Sequence, residues 1–160
     1  GITKVNLPED LEAAICDAAK YDRKIIVERG IIGRELECAV LGNEKPEASL
    51  PCEILPSKDF YDYEAKYERN DTRYLCPAGL PFESDRKIRE QALEAFQAVG
   101  GRGWGRVDFL MDEAGHPYFL EINTAPGMTE HSLVPMAALS AGIGYADLVV
   151  RILEGARLDG

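Results

Sequence analysis

Histidine and cysteine are scarce in this chain, and basic residues are outnumbered. The only histidines are His116 and His131, too few and too far apart for a histidine metal site, so any metal must be held by oxygen. The cysteines, Cys16, Cys38, Cys52 and Cys76, never come closer than 14 residues. That spacing excludes a C-x-x-C redox or zinc pair, and the expectation is four buried free thiols. Against 18 Lys and Arg stand 28 Asp and Glu, a net charge of −10, which speaks against a basic surface for nucleic acid. No apolar run approaches the roughly 20 residues of a membrane-spanning helix. The first residues, Gly1-Ile2-Thr3-Lys4-Val5-Asn6, lack a signal-peptide profile, and the chain reads as soluble and cytoplasmic, with no membrane partner. They also lack an initiator methionine and read as the start of a fragment. What is present is 46% hydrophobic content over 160 residues, enough for the core of one domain or two small ones.

Periodicity places the elements. Pro8-Glu9-Asp10 opens a helix whose apolar positions Leu11, Ile15, Ala18 and Ala19 run to about Lys20. Lys24 to Glu28 is a short β-branched run, and Glu35 to Leu41 alternates polar and apolar before Gly42-Asn43. With Ala48 to Leu55 these predict three or four antiparallel strands. Residues 57–71 have no clean period and read as a functional loop. After a short strand near Thr72 to Cys76, Ser84 is expected to cap a helix with Ile88, Ala92, Leu93, Ala95, Phe96 and Val99 on its apolar face, ended by Gly100-Gly101. Two strands, Gly105 to Met111 and Tyr118 to Asn123, flank the turn at 112–116, and helices are expected over Ser132 to Ala141 and Tyr145 to about Ala156.

The chemistry gathers on that last hairpin. Side chains alternate along a strand, so Arg106 and Asp108 share a face, as do Glu121 and Asn123. The hairpin can bring all four together. Two carboxylates and an amide oxygen suit Mg²⁺, and Arg106 beside them suits phosphate; the same spacing also describes a half-exposed sheet face in water. From Thr124 to Leu133 the chain runs through Pro126-Gly127 into a helix start, where backbone N–H groups and Ser132 suit a small anion, or form an ordinary strand-to-helix connection. Glu28 and Glu35, flanking Gly30 and Gly33, can accept from a nucleotide or stand as solvated acids.

Taken together, these motifs resemble a known family. Val27-Glu28 through Gly33-Arg34-Glu35-Leu36, Tyr61-Asp62-Tyr63-Glu64-Ala65-Lys66-Tyr67, Gly105-Arg106-Val107-Asp108-Phe109 and Phe119 through Pro135 occur in the order and spacing of the D-alanine:D-alanine ligases, of the ATP-grasp superfamily. The resemblance covers Lys4 to about Leu153. It implies an α+β, ATP-grasp fold of mostly antiparallel sheets packed with helices, with residues 1–55 completing the ATP-binding subdomain, 56–160 the catalytic domain, 57–71 a mobile loop, and the N-terminal domain absent. The implied activity is ATP-dependent joining of two D-alanines through an acyl phosphate, for peptidoglycan.

By the same resemblance, Asp108, Glu121 and Asn123 would hold two Mg²⁺ (or Mn²⁺) ions. Arg106 and the Gly127 N–H would stabilise the transferring phosphate and the tetrahedral oxyanion, and Ser132 with the Leu133 N–H would bind the carboxylate of the second D-alanine. Glu28, Arg29, Ile31 and Glu35 would line the adenosine site, Phe60 would cover the nucleotide, and Lys66 would reach the terminal phosphate. Tyr67 goes with an amine acceptor rather than D-lactate. Full ligases are about twice this length and homodimeric, so these 160 residues alone are expected to be inactive. Other readings from the sequence are an ATP-grasp ligase for a different carboxylate and amine, and an inactive ATP-grasp module.

Overall fold

The computed structural model describes residues 1–55 and 73–157. It divides into two compact units, Gly1–Ile31 and the chain from Ile32 onward. In the first, a single 3-10 turn at Pro8–Asp10 runs into helix α1, Leu11–Ala18. Proline at the first position needs no N–H partner there, and Glu9 and Asp10 favour the positive end of the helix. The expected strand at Lys24 to Glu28 does not form. Ile26 and Val27 are exposed, and a β-branched run becomes a strand only when a neighbouring strand takes its backbone hydrogen bonds.

The second unit is built on one antiparallel sheet: β1 (Gly33–Leu41), β2 (Glu47–Ala48), β3 (Cys52–Leu55), β4 (Arg73–Leu75), β5 (Trp104–Asp112) and β6 (Pro117–Asn123). Its order is β4-β3-β1-β5-β6, with β2 pairing the end of β1. One face packs on α2 (Phe82–Ala98). Leu36, Cys38 and Val40 from β1, Val107, Phe109 and Met111 from β5, and Ile88, Ala92 and Phe96 from α2 form this core. Burying side chains of this size contributes roughly 1.5–3 kcal/mol each, so this layer dominates the unit's stability. On the opposite face, α3 (Leu133–Ser140) and α4 (Tyr145–Gly155) bring Val134, Ala138 and Leu148 against Ala39, Leu41 and Trp104. That second core covers only one end of the face.

Helix α2 starts earlier than expected. Pro81 is its N-cap and Ser84 lies inside the first turn, because the Pro81 carbonyl already accepts from the Asp85 N–H at 3.0 Å. The glycine stop is as expected: Gly100 has φ +67°, and Gly100 and Gly101 donate to Gln97 and Phe96, closing the helix with a left-handed residue. The cysteine expectation also needs correcting. Cys52 and Cys76 form a disulfide with Cα atoms 4.5 Å apart, Cys16 is exposed, and only Cys38 is a buried thiol. Antiparallel pairing of Glu53 with Leu75 sets the flanking residues Cys52 and Cys76 opposite each other, a meeting that their sequence separation of 24 conceals.

Candidate functional site

The polar residues picked out on the last hairpin do share one face. Register pairs Arg106 with Asn123 and Asp108 with Glu121, while Val107 and Phe109 turn into the core beneath. A bulge beside Asp108 and Phe109 skips Leu120, so that Phe109 pairs with Phe119. The extra residue matters. It lets Phe119 meet the Phe109 ring edge-on, with centroids 6.3 Å apart, while Glu121, two positions along the same strand, remains on the polar face.

Strand β1 adds a further acid, one that an alternating pattern does not distinguish. Glu37 lies directly opposite Asp108, and although it carries a carboxyl group it is only 5% exposed, as is Asp108. Arg106 lies among these acids. Its guanidinium grips Asp108 with both arms, Nε to Oδ1 and Nη2 to Oδ2, each at 2.8 Å. Glu37 Oε2 sits 2.9 Å from the same Nε yet has no hydrogen bond, since the single Nε hydrogen is directed at Asp108. Burial pushes the Glu37 carboxyl up to about 8, with Asp108 adding to the shift and Arg106 opposing it. Asp108, followed by the nearby acids, holds the Arg106 guanidinium even more firmly protonated than usual. Glu37 was legible in one respect only: it stands two residues after Glu35 on an alternating strand, and so on the same face.

Among the described residues, no group of three or more His, Cys, Asp or Glu is arranged to hold a metal ion. The donor chemistry nonetheless fits a hard dication: carboxylate oxygens of Asp108 and Glu121 beside the Asn123 amide, with a buried unsatisfied carboxylate oxygen next to them. In the arrangement seen, the guanidinium occupies the Asp108 oxygens, and Asn123 Oδ1 accepts from the Ala125 N–H at 3.2 Å.

Beyond Asn123 the strand-to-helix connection folds tightly on itself. Ser132, the N-cap of α3, makes no side-chain bond to its own helix. Its Oγ instead accepts from the Thr129 N–H at 3.1 Å and pairs with Thr129 Oγ1 at 2.9 Å. A β-carbon on Gly127 would lie 2.9 Å from Ser132 Oγ, so glycine is what permits that approach. The Tyr145 hydroxyl donates to the Met128 carbonyl at 2.6 Å and pins the connection to α4. Leu133 and Val134 begin the helix, where N–H groups have no carbonyl a turn earlier within it.

The remaining expected residues are distributed differently. Glu28, Arg29 and Ile31 belong to the first unit, in irregular backbone, the first two exposed and the third half-buried. Glu35 is exposed on β1 of the second unit. Phe60, Lys66 and Tyr67, with the whole of residues 57–71, lie outside the described residues.

Residues 1–154 match the family model described as the D-ala D-ala ligase C-terminus. A D-alanine–D-alanine ligase of Dechloromonas aromatica is 55% identical over 160 residues, covering 99% of this chain and 52% of that protein. Among solved structures, the VanG D-Ala:D-Ser ligase of Enterococcus faecalis matches at 34% identity with a TM-score of 0.80, over 95% of this chain and 44% of that one. A D-alanine–D-alanine ligase of Bacillus anthracis, complexed with ATP, matches at 26% identity and 0.77, over 94% and 47%. The chain spans about half the length of the curated relatives it matches.

Proposed function

Because the chain belongs to the family of D-Ala–D-Ala ligase C-terminal regions, we propose that it supplies the phosphate- and metal-facing part of an ATP-dependent ligase that makes D-alanyl-D-alanine for cell-wall peptidoglycan. The observation that carries this reading is the register that aligns Arg106, Asp108, Glu121 and Asn123 on one face, beside the glycine-tight connection into α3. Asp108, Glu121 and Asn123 would hold two Mg²⁺ or Mn²⁺ ions. When bound, these supply positive charge against the triphosphate.

In the reaction proposed, a carboxylate oxygen of one D-alanine attacks the terminal phosphorus of ATP, ADP leaves, and the amine of a second D-alanine attacks the acyl carbon. Phosphate departs and the amine loses its proton. Arg106 would meet the transferring phosphoryl group and then, with the Gly127 N–H, the oxyanion of the tetrahedral intermediate. Oriented donors of this kind are worth about 3 kcal/mol each. Ser132 and the Leu133 N–H would orient the second substrate by its carboxylate, Glu28, Arg29, Ile31 and Glu35 would bind adenosine, and Phe60, Lys66 and Tyr67 would close over the site. A homodimeric cytoplasmic enzyme belongs to the same reading.

The test uses a polypeptide of the relatives' full length carrying these residues, with phosphate release measured on D-alanine and ATP. D-alanine-dependent turnover is expected, with D-lactate a poor acceptor, and Asp108→Asn or Glu121→Gln should abolish it. A wild-type rate in either variant would refute the metal assignment. D-alanine-dependent turnover by the 160 residues alone would refute the need for the other half.

A further inference from the structure

One guanidinium in this sheet serves two buried carboxylates, and its hydrogen bonds go to only one of them. Arg106 donates twice to Asp108. Glu37, 2.9 Å from the same Nε, keeps a buried oxygen with no hydrogen-bond partner, an arrangement that costs desolvation without return and is rare in folded proteins. The proposed function asks Asp108 for the very oxygens that Arg106 now holds. An acceptor for the released guanidinium already stands within ion-pair distance, buried on the adjacent strand and directly opposite Asp108.

We propose that Glu37 is a positioning residue for Arg106: it takes the guanidinium from Asp108 when a divalent cation binds, freeing Asp108 and holding Arg106 on the phosphate side of the sheet. This rests on the reading of the site as a ligase metal centre. The exchange needs no new burial, because Glu37 and Asp108 are both buried and the guanidinium shifts only between neighbouring strands. It also explains why a third acid beside Asp108 and Glu121 is kept next to a site for a polyanion. Without Glu37, the arginine and the cation compete for one carboxylate.

The experiment measures Mn²⁺ binding, as loss of the free-ion EPR signal in the presence of a non-hydrolysable ATP analogue, on the full-length polypeptide. Glu37→Gln is expected to weaken Mn²⁺ binding about tenfold, a coupling usual for charged groups in contact. In an Arg106→Met background the same change should leave binding within about twofold, because the competitor is gone. Glu37→Asp, which keeps the carboxyl group, should stay within about threefold of wild type and serves if the glutamine variant fails to fold. Unchanged binding in Glu37→Gln overturns the proposal, as does an equal loss in both backgrounds, which would make Glu37 a metal ligand itself. Wild-type protein that binds no Mn²⁺ overturns the ligase reading and this inference with it, whereas wild-type binding with an unaffected Glu37→Gln overturns this inference alone.

Discussion

Replacing Gly33 with alanine tests how closely β1 must approach β5. A β-carbon at Gly33 would overlap the Met111 carbonyl oxygen, with the carbonyl carbon at 2.7 Å and Asp112 Cα at 3.0 Å. These are backbone atoms of the paired strand, so no side chain can swing away. To reach ordinary contact the strand ends must separate by roughly 1.5 Å, which lengthens the ladder at the Gly33–Asp112 and Arg34–Met111 pairs. Two backbone hydrogen bonds at about 1 kcal/mol net each give about 2 kcal/mol, within the usual 1–3 kcal/mol cost of forcing a methyl into a filled space. For a chain of this size that is a fall in Tm of about 4–8 °C. Thermal unfolding followed by far-UV circular dichroism reads the shift, and amide exchange should quicken first at Met111 and Asp112. A Tm within about 1 °C of wild type would refute the account of the strand contact.

The thiols give a chemical check. Under native, non-reducing conditions Ellman's reagent should find one reactive thiol per chain, the exposed Cys16, because burial pushes the Cys38 thiol up to about 12 and Cys52 is bonded to Cys76. Two or more thiols reacting in the folded protein would contradict this. The turn at 112–116 gives a pH check. The His116 N–H, followed by the Tyr118 hydroxyl, holds the Asp112 carboxyl below its ordinary 3.8. Its contribution to stability is therefore complete above that value and lost as pH falls through the depressed folded-state value. Asp112→Asn should flatten the acid side of the Tm-versus-pH curve, and an unchanged slope below pH 3.8 would count against the turn's role.

The elements legible in the sequence are those whose periodicity is enforced by a core. Ile88, Ala92 and Phe96 recur at helical spacing because α2 lies on the sheet, and Val107, Phe109 and Met111 alternate because β5 is buried on that side. What was misread depends on partners distant in sequence. Lys24 to Glu28 has strand composition but pairs with no strand among the described residues, and the Cys52–Cys76 bond exists only once β3 and β4 are in register. Gly33 stands in sequence between the candidate nucleotide contacts Glu28 and Glu35, yet the close backbone of Met111 already requires a glycine there. Glu37 shows the same limit within the site. A charged residue between Leu36 and Cys38 resembles any solvent-facing position of an alternating strand, and only the pairing of β1 with β5 reveals a carboxylate buried beside another.

Arg34 and Arg106 hold buried carboxylates on opposite faces of this sheet, and the contrast between them supports the proposed role of Arg106. On the α2 side Arg34 donates to both oxygens of Glu53 and also to the Ala78 carbonyl. One cation meets one anion there, both Glu53 oxygens accept from it, and the Glu53 contact lifts the Arg34 guanidinium above its ordinary value. Such a pair can tie β1 to β3 and to the connection that leads into α2, and needs no further charge. On the other face Arg106 meets Asp108 and Glu37 with Glu121 nearby, and one positive charge is set against three acids. Removing charges from water is costly unless they are compensated, and a fold that only had to be stable would lose little by replacing Glu37 with an apolar residue. Under the function proposed above, the excess acid would instead be matched by the divalent cations of the site. The excess lies on the face that α3 and α4 leave partly open, rather than under α2, which is where the proposed function would need it to meet magnesium-bound triphosphate.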